Sequence, residues 1–301
     1  MNIHRAAHLG MCFGVRDAIT LARQEADSRP ITILGDLVHN ASVLEELRRR
    51  GVRLERHLDT VRTHTVLITA HGASERSKDE VRARGHRLVE ATCPLVRFAH
   101  ERIGALVRDG FHPVIVGLRD HVEVRGLTGD LEAFDVILDD ADVDRLAPRA
   151  RFGVASQTTQ PVVRVQRLVR RLRERFPDAE VRVADTVCLP TRQRQEAAVA
   201  LAVGSDVVVV VGGPASNNTL ELVATCRLHC ARVHHVQTVA DLEPGWFGPD
   251  DQVGLTAGTS TPDALICAVE DQLRLWADAS AGPVSVAADV DRRELQSAEV
   301  P

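Results

Sequence analysis

Glu90-Ala91-Thr92-Cys93-Pro94-Leu95-Val96 places a thiol between two kinds of local structure. The apolar pair Leu88-Val89 before it reads as a strand, and the pattern running on through Ala105 and Leu106 reads as a helix. A proline directly after the cysteine suits the first helical turn, where its missing N–H costs nothing. Cys93 is therefore expected at a strand-to-helix turn. A helix N-terminus favours thiolate, the form that binds metal or attacks an electrophile. Two more cysteines have the same surroundings: Cys12 opens a helical run from Val15 to Ala26, and Cys188 opens one from Arg194 to Val203. They stand 81 residues before and 95 residues after Cys93, so each third of the chain carries one such thiol. That recurrence suggests three similar units meeting at one point.

At 301 residues, 44% of them hydrophobic, the chain can bury the cores of two or three compact units. The formal net charge is −5, Lys78 is the only lysine, and no basic block stands apart from neighbouring acids. Tyrosine is absent and other aromatics are few, which removes the usual base-stacking platform. Nucleic acid is thus not an expected partner. Met1-Asn2-Ile3-His4-Arg5 lacks an apolar signal region, and no apolar run approaches the roughly 18 residues of a membrane span. These features lead us to expect a cytoplasmic protein with no membrane partner. There, six cysteines are more naturally reduced, metal-binding or catalytic than a disulfide framework.

Apolar strand signals at residues 31–34, 66–69, 114–117, 152–155, 207–211 and 253–256 alternate with helical patterns. This alternation predicts an α/β protein with parallel sheets. The expected division is a first unit over 1–92, a second over 93–187, a third over 188–283 and a C-terminal tail over 284–301. In parallel sheets, ligands collect beyond the carboxyl ends of the strands. The residues expected there include Cys12, His39, His71, Cys93, His121, Glu123, Thr158, Thr159, Cys188, Ser216, Asn218 and Ser260.

Three thiolates without a fourth suit an iron-sulfur cluster with one iron lacking a protein ligand, or a three-cysteine zinc site open to water. Ser216, Asn218 and Ser260 precede helices, whose free N–H groups, with His39, His71 and His121, can neutralise a phosphate or diphosphate. Serine and asparagine are also ordinary helix caps. Glu123 follows His121 by two residues, and on an extended segment both would share a face, as a proton donor and its partner require. The plainer alternative is an exposed glutamate beside Arg125. Cys226 and Cys230 continue an apolar helical stripe and read as core, and Cys267 reads as structural. Gly212-Gly213-Pro214 fits neither the Rossmann nor the Walker pattern.

The combination resembles the 4-hydroxy-3-methylbut-2-enyl diphosphate reductase (IspH/LytB) family of the non-mevalonate isoprenoid pathway. The segments that carry the likeness are Gly10-Met11-Cys12-Phe13-Gly14-Val15, Val38-His39-Asn40, Ala70-His71-Gly72, Ala91-Thr92-Cys93-Pro94-Leu95-Val96, His121-Val122-Glu123-Val124, Gln157-Thr158-Thr159, Cys188 with Arg194-Gln195-Glu196-Ala197, Ser216-Asn217-Asn218 and Thr256-Ala257-Gly258-Thr259-Ser260. The resemblance implies an oxidoreductase of three α/β domains in pseudo-threefold arrangement around a 4Fe-4S cluster held by Cys12, Cys93 and Cys188. It also implies that His39, His71, His121, Ser216, Asn218 and Ser260 hold a substrate diphosphate, with Asn217 among them where serine is usual. By the same resemblance Glu123, Thr158 and His121 sit at the reacting hydroxyl, Glu123 delivers a proton, and ferredoxin or flavodoxin supplies electrons. Val122, Pro190 and Gln193 depart from the family pattern, as do Leu220 and Glu221 after Asn218. Two other readings are a paralogue acting on another hydroxylated phosphate and a non-catalytic iron-sulfur or zinc sensor.

Overall fold

The computed structural model describes residues 1–280, so the expected tail lies outside the described residues. The chain begins with strand β1 (Asn2–Arg5) and passes through Cys12 into helix α1 (Phe13–Ser28). β2 (Ile31–Leu34), α2 (Ala41–Arg49), β3 (Arg53–Glu55), β4 (Thr65–Ile68), α3 (Glu75–Ala83) and β5 (Arg87–Glu90) complete the first unit. The second runs α4 (Pro94–Arg108), β6 (His112–Val116), α5 (Val122–Thr128), β7 (Asp135–Ile137), α6 (Asp140–Arg145), β8 (Arg151–Ser156), α7 (Val162–Arg175) and β9 (Glu180–Val183). The third runs α8 (Leu189–Val203), β10 (Val207–Val211), α9 (Asn217–Arg227), β11 (Arg232–Val236), β12 (Gln252–Ala257) and α10 (Asp263–Ser280).

Three four-stranded sheets result, in the orders β3-β2-β4-β5, β7-β6-β8-β9 and β11-β10-β12-β1. Every pairing is parallel. The central strands are buried on both faces by helices, so they are continuous apolar runs: all five valines of β10 and Val114, Ile115 and Val116 of β6 are fully buried. Burying each such side chain stabilises the fold by about 1.5–3 kcal/mol relative to exposure.

The three orders are one pattern, with β1 standing in the third sheet where β5 and β9 stand in the others. The expected first unit, 1–92, therefore contains a strand that packs elsewhere: Ile3 is in register with Val253 of β12. The reason is non-local, because β1 is an edge strand with only Ile3 partly covered and finds its partner some 250 residues away. The same step follows each of these edge strands: β1 leads to Cys12 and α1, β5 to Cys93 and α4, and β9 to Cys188 and α8. Each cysteine N–H also donates to the carbonyl just beyond the central strand of its own sheet: Cys12 to Thr259, Cys93 to Ala70 and Cys188 to Thr158, all at 3.0 Å.

Because Ala6 N–H donates to Leu255 O at 2.9 Å, Ala6→Pro removes one bond that ties the chain start to β12. The expected cost is about 1–3 kcal/mol, confined to the third sheet. Hydrogen exchange should quicken at the β12 amides and stay unchanged at β2 and β4; equal acceleration in all three would contradict the assignment.

Candidate active site

His39 follows β2, His71 follows β4 and His121 follows β6, so all three leave the carboxyl ends of central strands. The rings of His39 and His71 stack with centroids 4.3 Å apart, and His121 meets them edge-on at 5.1 and 5.6 Å. Burial pushes all three imidazoles below their ordinary range, His71 furthest and His121 to about 4, and neighbouring histidines add to the shift on His71 and His121. At neutral pH they are uncharged donors and acceptors.

Hydrogen bonding fixes the tautomers of His121 and His39. The backbone N–H of Glu123 donates to His121 Nδ1 at 3.1 Å, so neutral His121 carries its proton on Nε2. That Nε2 faces His39 Nε2 at 3.2 Å, which makes His39 the acceptor there and leaves its own proton on Nδ1. His39 Nδ1 is buried without a partner, as are His71 Nδ1 and Asn218 Nδ2. Buried donors are seldom left unpaired, so His39 Nδ1 and Asn218 Nδ2 mark where a ligand's acceptors belong. They line a cavity of about 40 Å³ together with His121, Glu123 and Ser260. A larger cleft of about 830 Å³ adjoins it, sharing His39 and His121 and bordered by Asp36, Arg56 and Arg125.

The third unit closes the pocket. Ser216 is the N-cap of α9, accepting from Thr219 N, and Asn218 Oδ1 accepts from Thr259 N at 2.9 Å. Ser260 Oγ donates to His39 O at 3.1 Å, joining the third unit to the first. Gly213 packs so closely there that a Cβ would lie 2.8 Å from His39 O. Asn217 behaves differently: its Nδ2 donates to Thr159 Oγ1 at 2.9 Å, so the amide is spent on the second unit.

Glu123 is not on an extended segment. His121 is the N-cap of α5, with its ring turned back on Glu123 N–H, and Glu123 sits in the first helical turn. A side-chain acceptor at the cap position outweighed strand alternation, and ring and carboxyl share the pocket for that reason. The carboxyl is buried, accepts from Thr158 N at 2.6 Å and is pushed up to about 7 by burial. The exposed-glutamate alternative is thereby excluded.

Cys12, Cys93 and Cys188 are the N-cap residues of α1, α4 and α8, none using its side chain to cap. All three are free and half-buried. Burial raises Cys93 and takes Cys188 to about 11, with smaller contributions from Cys12 and Glu123, so the thiols and the acid lie within electrostatic reach of one another. Gly14 is required beside them, because a Cβ there would collide with Cys93 Sγ. Buried Arg194, whose Nε donates to Gly10 O at 2.9 Å, places a cation near Cys12 and Cys188. Its signal in the sequence was only its place in the motif after Cys188. Among the described residues, no three His, Cys, Asp or Glu side chains are gathered tightly enough for one metal ion. Three thiols without a fourth, at three helix starts, are a donor set that fits an iron-sulfur cluster with one iron lacking a protein ligand, and a three-cysteine zinc site as well. Cys226 and Cys230 are core residues as expected, whereas Cys267 is exposed on α10.

Fold and site together define a three-unit α/β protein with a buried pocket of imidazoles and amides beside three helix-cap thiols. The chain belongs to the LytB family, whose description as LytB protein matches residues 3–274. It is 37% identical over 277 residues to the 4-hydroxy-3-methylbut-2-enyl diphosphate reductase of Geobacter sp. (strain M21), covering 91% of this chain and 97% of that one. It is 36% identical over 270 residues to the enzyme of the same name from Pelobacter propionicus, covering 88% and 95%. A solved (E)-4-hydroxy-3-methyl-but-2-enyl diphosphate reductase superposes with a TM-score of 0.67 at 31% identity, over 91% of this chain and 99% of that one. The E-1-hydroxy-2-methyl-but-2-enyl-4-diphosphate reductase of Plasmodium falciparum shares the fold at a TM-score of 0.84 and 24% identity, over 91% and 87%.

An anion entering a pocket of imidazoles held neutral by burial should raise their proton affinity. Calorimetric titration with inorganic diphosphate near pH 6.5, the ordinary imidazole value, in two buffers of different ionisation enthalpy should show net proton uptake. Binding without uptake would show that the histidines do not become charged on binding the anion.

Proposed function

We propose that this protein reduces 4-hydroxy-3-methylbut-2-enyl diphosphate to isopentenyl and dimethylallyl diphosphate, the last step of the non-mevalonate pathway. The observation that carries this reading is the buried carboxyl of Glu123, pushed up to about 7 by burial, beside a pocket of unpartnered buried donors and three N-cap thiols. Cys12, Cys93 and Cys188 would hold a 4Fe-4S cluster, which when bound supplies electrons and an iron open to substrate. The net change is loss of the substrate's hydroxyl as water, with two electrons and two protons consumed.

The protein's own part is positioning and proton delivery. His39, His71, His121, Asn218, Ser216 and Ser260 bind the diphosphate, drawing on imidazole and amide donors and on the N-terminus of α9. Glu123 keeps its proton near neutral pH because burial disfavours the carboxylate, and it gives that proton to the departing hydroxyl. The Thr158 N–H holds the carboxyl in place and steadies the carboxylate left after transfer. Electrons come from a small carrier such as ferredoxin or flavodoxin. Among the described residues no helix is long and apolar enough to cross a membrane. A non-catalytic sensor would have no use for a buried acid aimed into the anion pocket.

Anaerobic purification should give a brown protein containing iron and sulfide that turns over this diphosphate with a reduced donor. A brown protein inactive on it would overturn the reading. Cys93→Ser should abolish iron content and activity together while circular dichroism remains that of the folded chain. Glu123→Gln should keep the cluster's absorbance and lower kcat by about 10²–10⁴. The acid must be protonated to act, so the rate should be level below about pH 7 and fall about tenfold per unit above it. A rate that stays flat through pH 8–9, about one to two units above that value, would remove Glu123 as the donor.

A further inference from the structure

Two departures from the family pattern, Asn217 and Glu221, lie one helical turn apart on α9 and so share a face. That face meets the second unit. Asn217 Nδ2 donates to Thr159 Oγ1 at 2.9 Å, and Thr159 directly follows the residue whose N–H holds Glu123. Glu221 accepts from Arg164 Nη1 on α7, an ion pair whose side chains are only 12% and 27% exposed.

The contacts continue inward. Arg164 also donates to Gln160 Oε1 at 2.7 Å, and Gln160 Nε2 donates to Gln157 Oε1 at 3.1 Å. Gln157 Oε1 accepts in turn from Leu118 N at 3.2 Å, in the turn that leads to His121 and Glu123. Gln157 Nε2 returns to Thr159 Oγ1 at 3.2 Å, closing a ring of polar contacts between Asn217 and Glu221. Gln157 and Gln160 are fully buried, so the network has no solvent to fall back on. Buried networks of this kind hold one geometry, because removing any member leaves another polar group unpaired.

We propose that Asn217 and Glu221 are positioning residues forming a two-point latch between the third unit and the second. Through it the helix end that binds the anion and the turn that holds the proton donor are kept in one register. The latch rests on the functional reading above, since it joins the two halves of that site, and it assigns a role to residues outside the acid and cluster chemistry. Its effect is on alignment: the anion ligands and the Thr158–Glu123 bond both survive its loss, but their relative placement does not. Misplacement by about 1 Å is enough to lower a rate by as much as about 10²-fold.

Glu221→Gln and Arg164→Gln should each lower kcat about tenfold, within that range, while KM changes less than about threefold. Glu221→Asp, which keeps a carboxylate for Arg164, should retain most of the rate. A role in stability alone predicts a lower Tm with kcat unchanged, which would overturn the proposal, as would a folded Glu221→Asp no faster than Glu221→Gln. A second readout does not need turnover: inorganic diphosphate should slow hydrogen exchange at the Leu118 and Thr158 amides of the parent protein and not of Glu221→Gln. If diphosphate does not bind the parent at all, the functional reading fails and the latch with it. If it binds and protects those amides equally in both proteins, the latch alone is wrong.

Discussion

Three parallel sheets aim the carboxyl ends of their strands at one volume, and the rest of the molecule follows from that convergence. A parallel strand can return only through a helix, so every strand end at the centre is followed by a helix start with unpaired N–H groups. The centre is thus partly positive before any side chain is considered. Cys12, Cys93 and Cys188 enter it at equivalent places, each with its own N–H anchored 3.0 Å from a carbonyl beyond a central strand. The anchor of Cys12, to Thr259 beyond β12, lies in the sheet that β1 joins, so the start of the chain completes the sheet that the end of the chain begins.

Desolvation then sets the chemistry of the centre. Burial keeps the three histidines neutral, holds Glu123 protonated near neutral pH and raises the thiols of Cys93 and Cys188. In every one of these groups burial disfavours the charged form. A polyanion and a cationic metal centre are the partners that would reverse those shifts, one for the imidazoles and the other for the thiols. The tautomer chain from Glu123 N–H through His121 to His39 ends in a buried donor without a partner, which gives the pocket a direction as well as a charge preference.

Much of this was readable along the chain because its causes are local. Pro94 after Cys93 marks a helix start whatever the rest of the protein does, and Cys93 does cap α4, whereas the helix after Cys188 begins at Leu189, ahead of the expected run from Arg194. The central strands were readable because burial on both faces demands unbroken apolar runs such as the five valines of β10. The edge strands were not: Arg53-Leu54-Glu55 and Glu180-Val181-Arg182-Val183 are short, charged and partly exposed, and only their neighbours make them strands. Residues 121–123 looked extended because capping by a histidine ring has no periodic signature.

The sequence by itself determined the three strand-to-helix thiols, the parallel α/β architecture, the three histidines at strand ends and the likeness to one family, since each rests on residues close together in the chain. Only the tertiary structure decided that β1 belongs to the third sheet, that His121 and Glu123 share a helix start, and that Asn217 turns to Thr159. It also decided that Glu221 pairs with Arg164. Those outcomes depend on partners distant in sequence and on how much water the folded centre excludes. Neither is encoded in any single stretch.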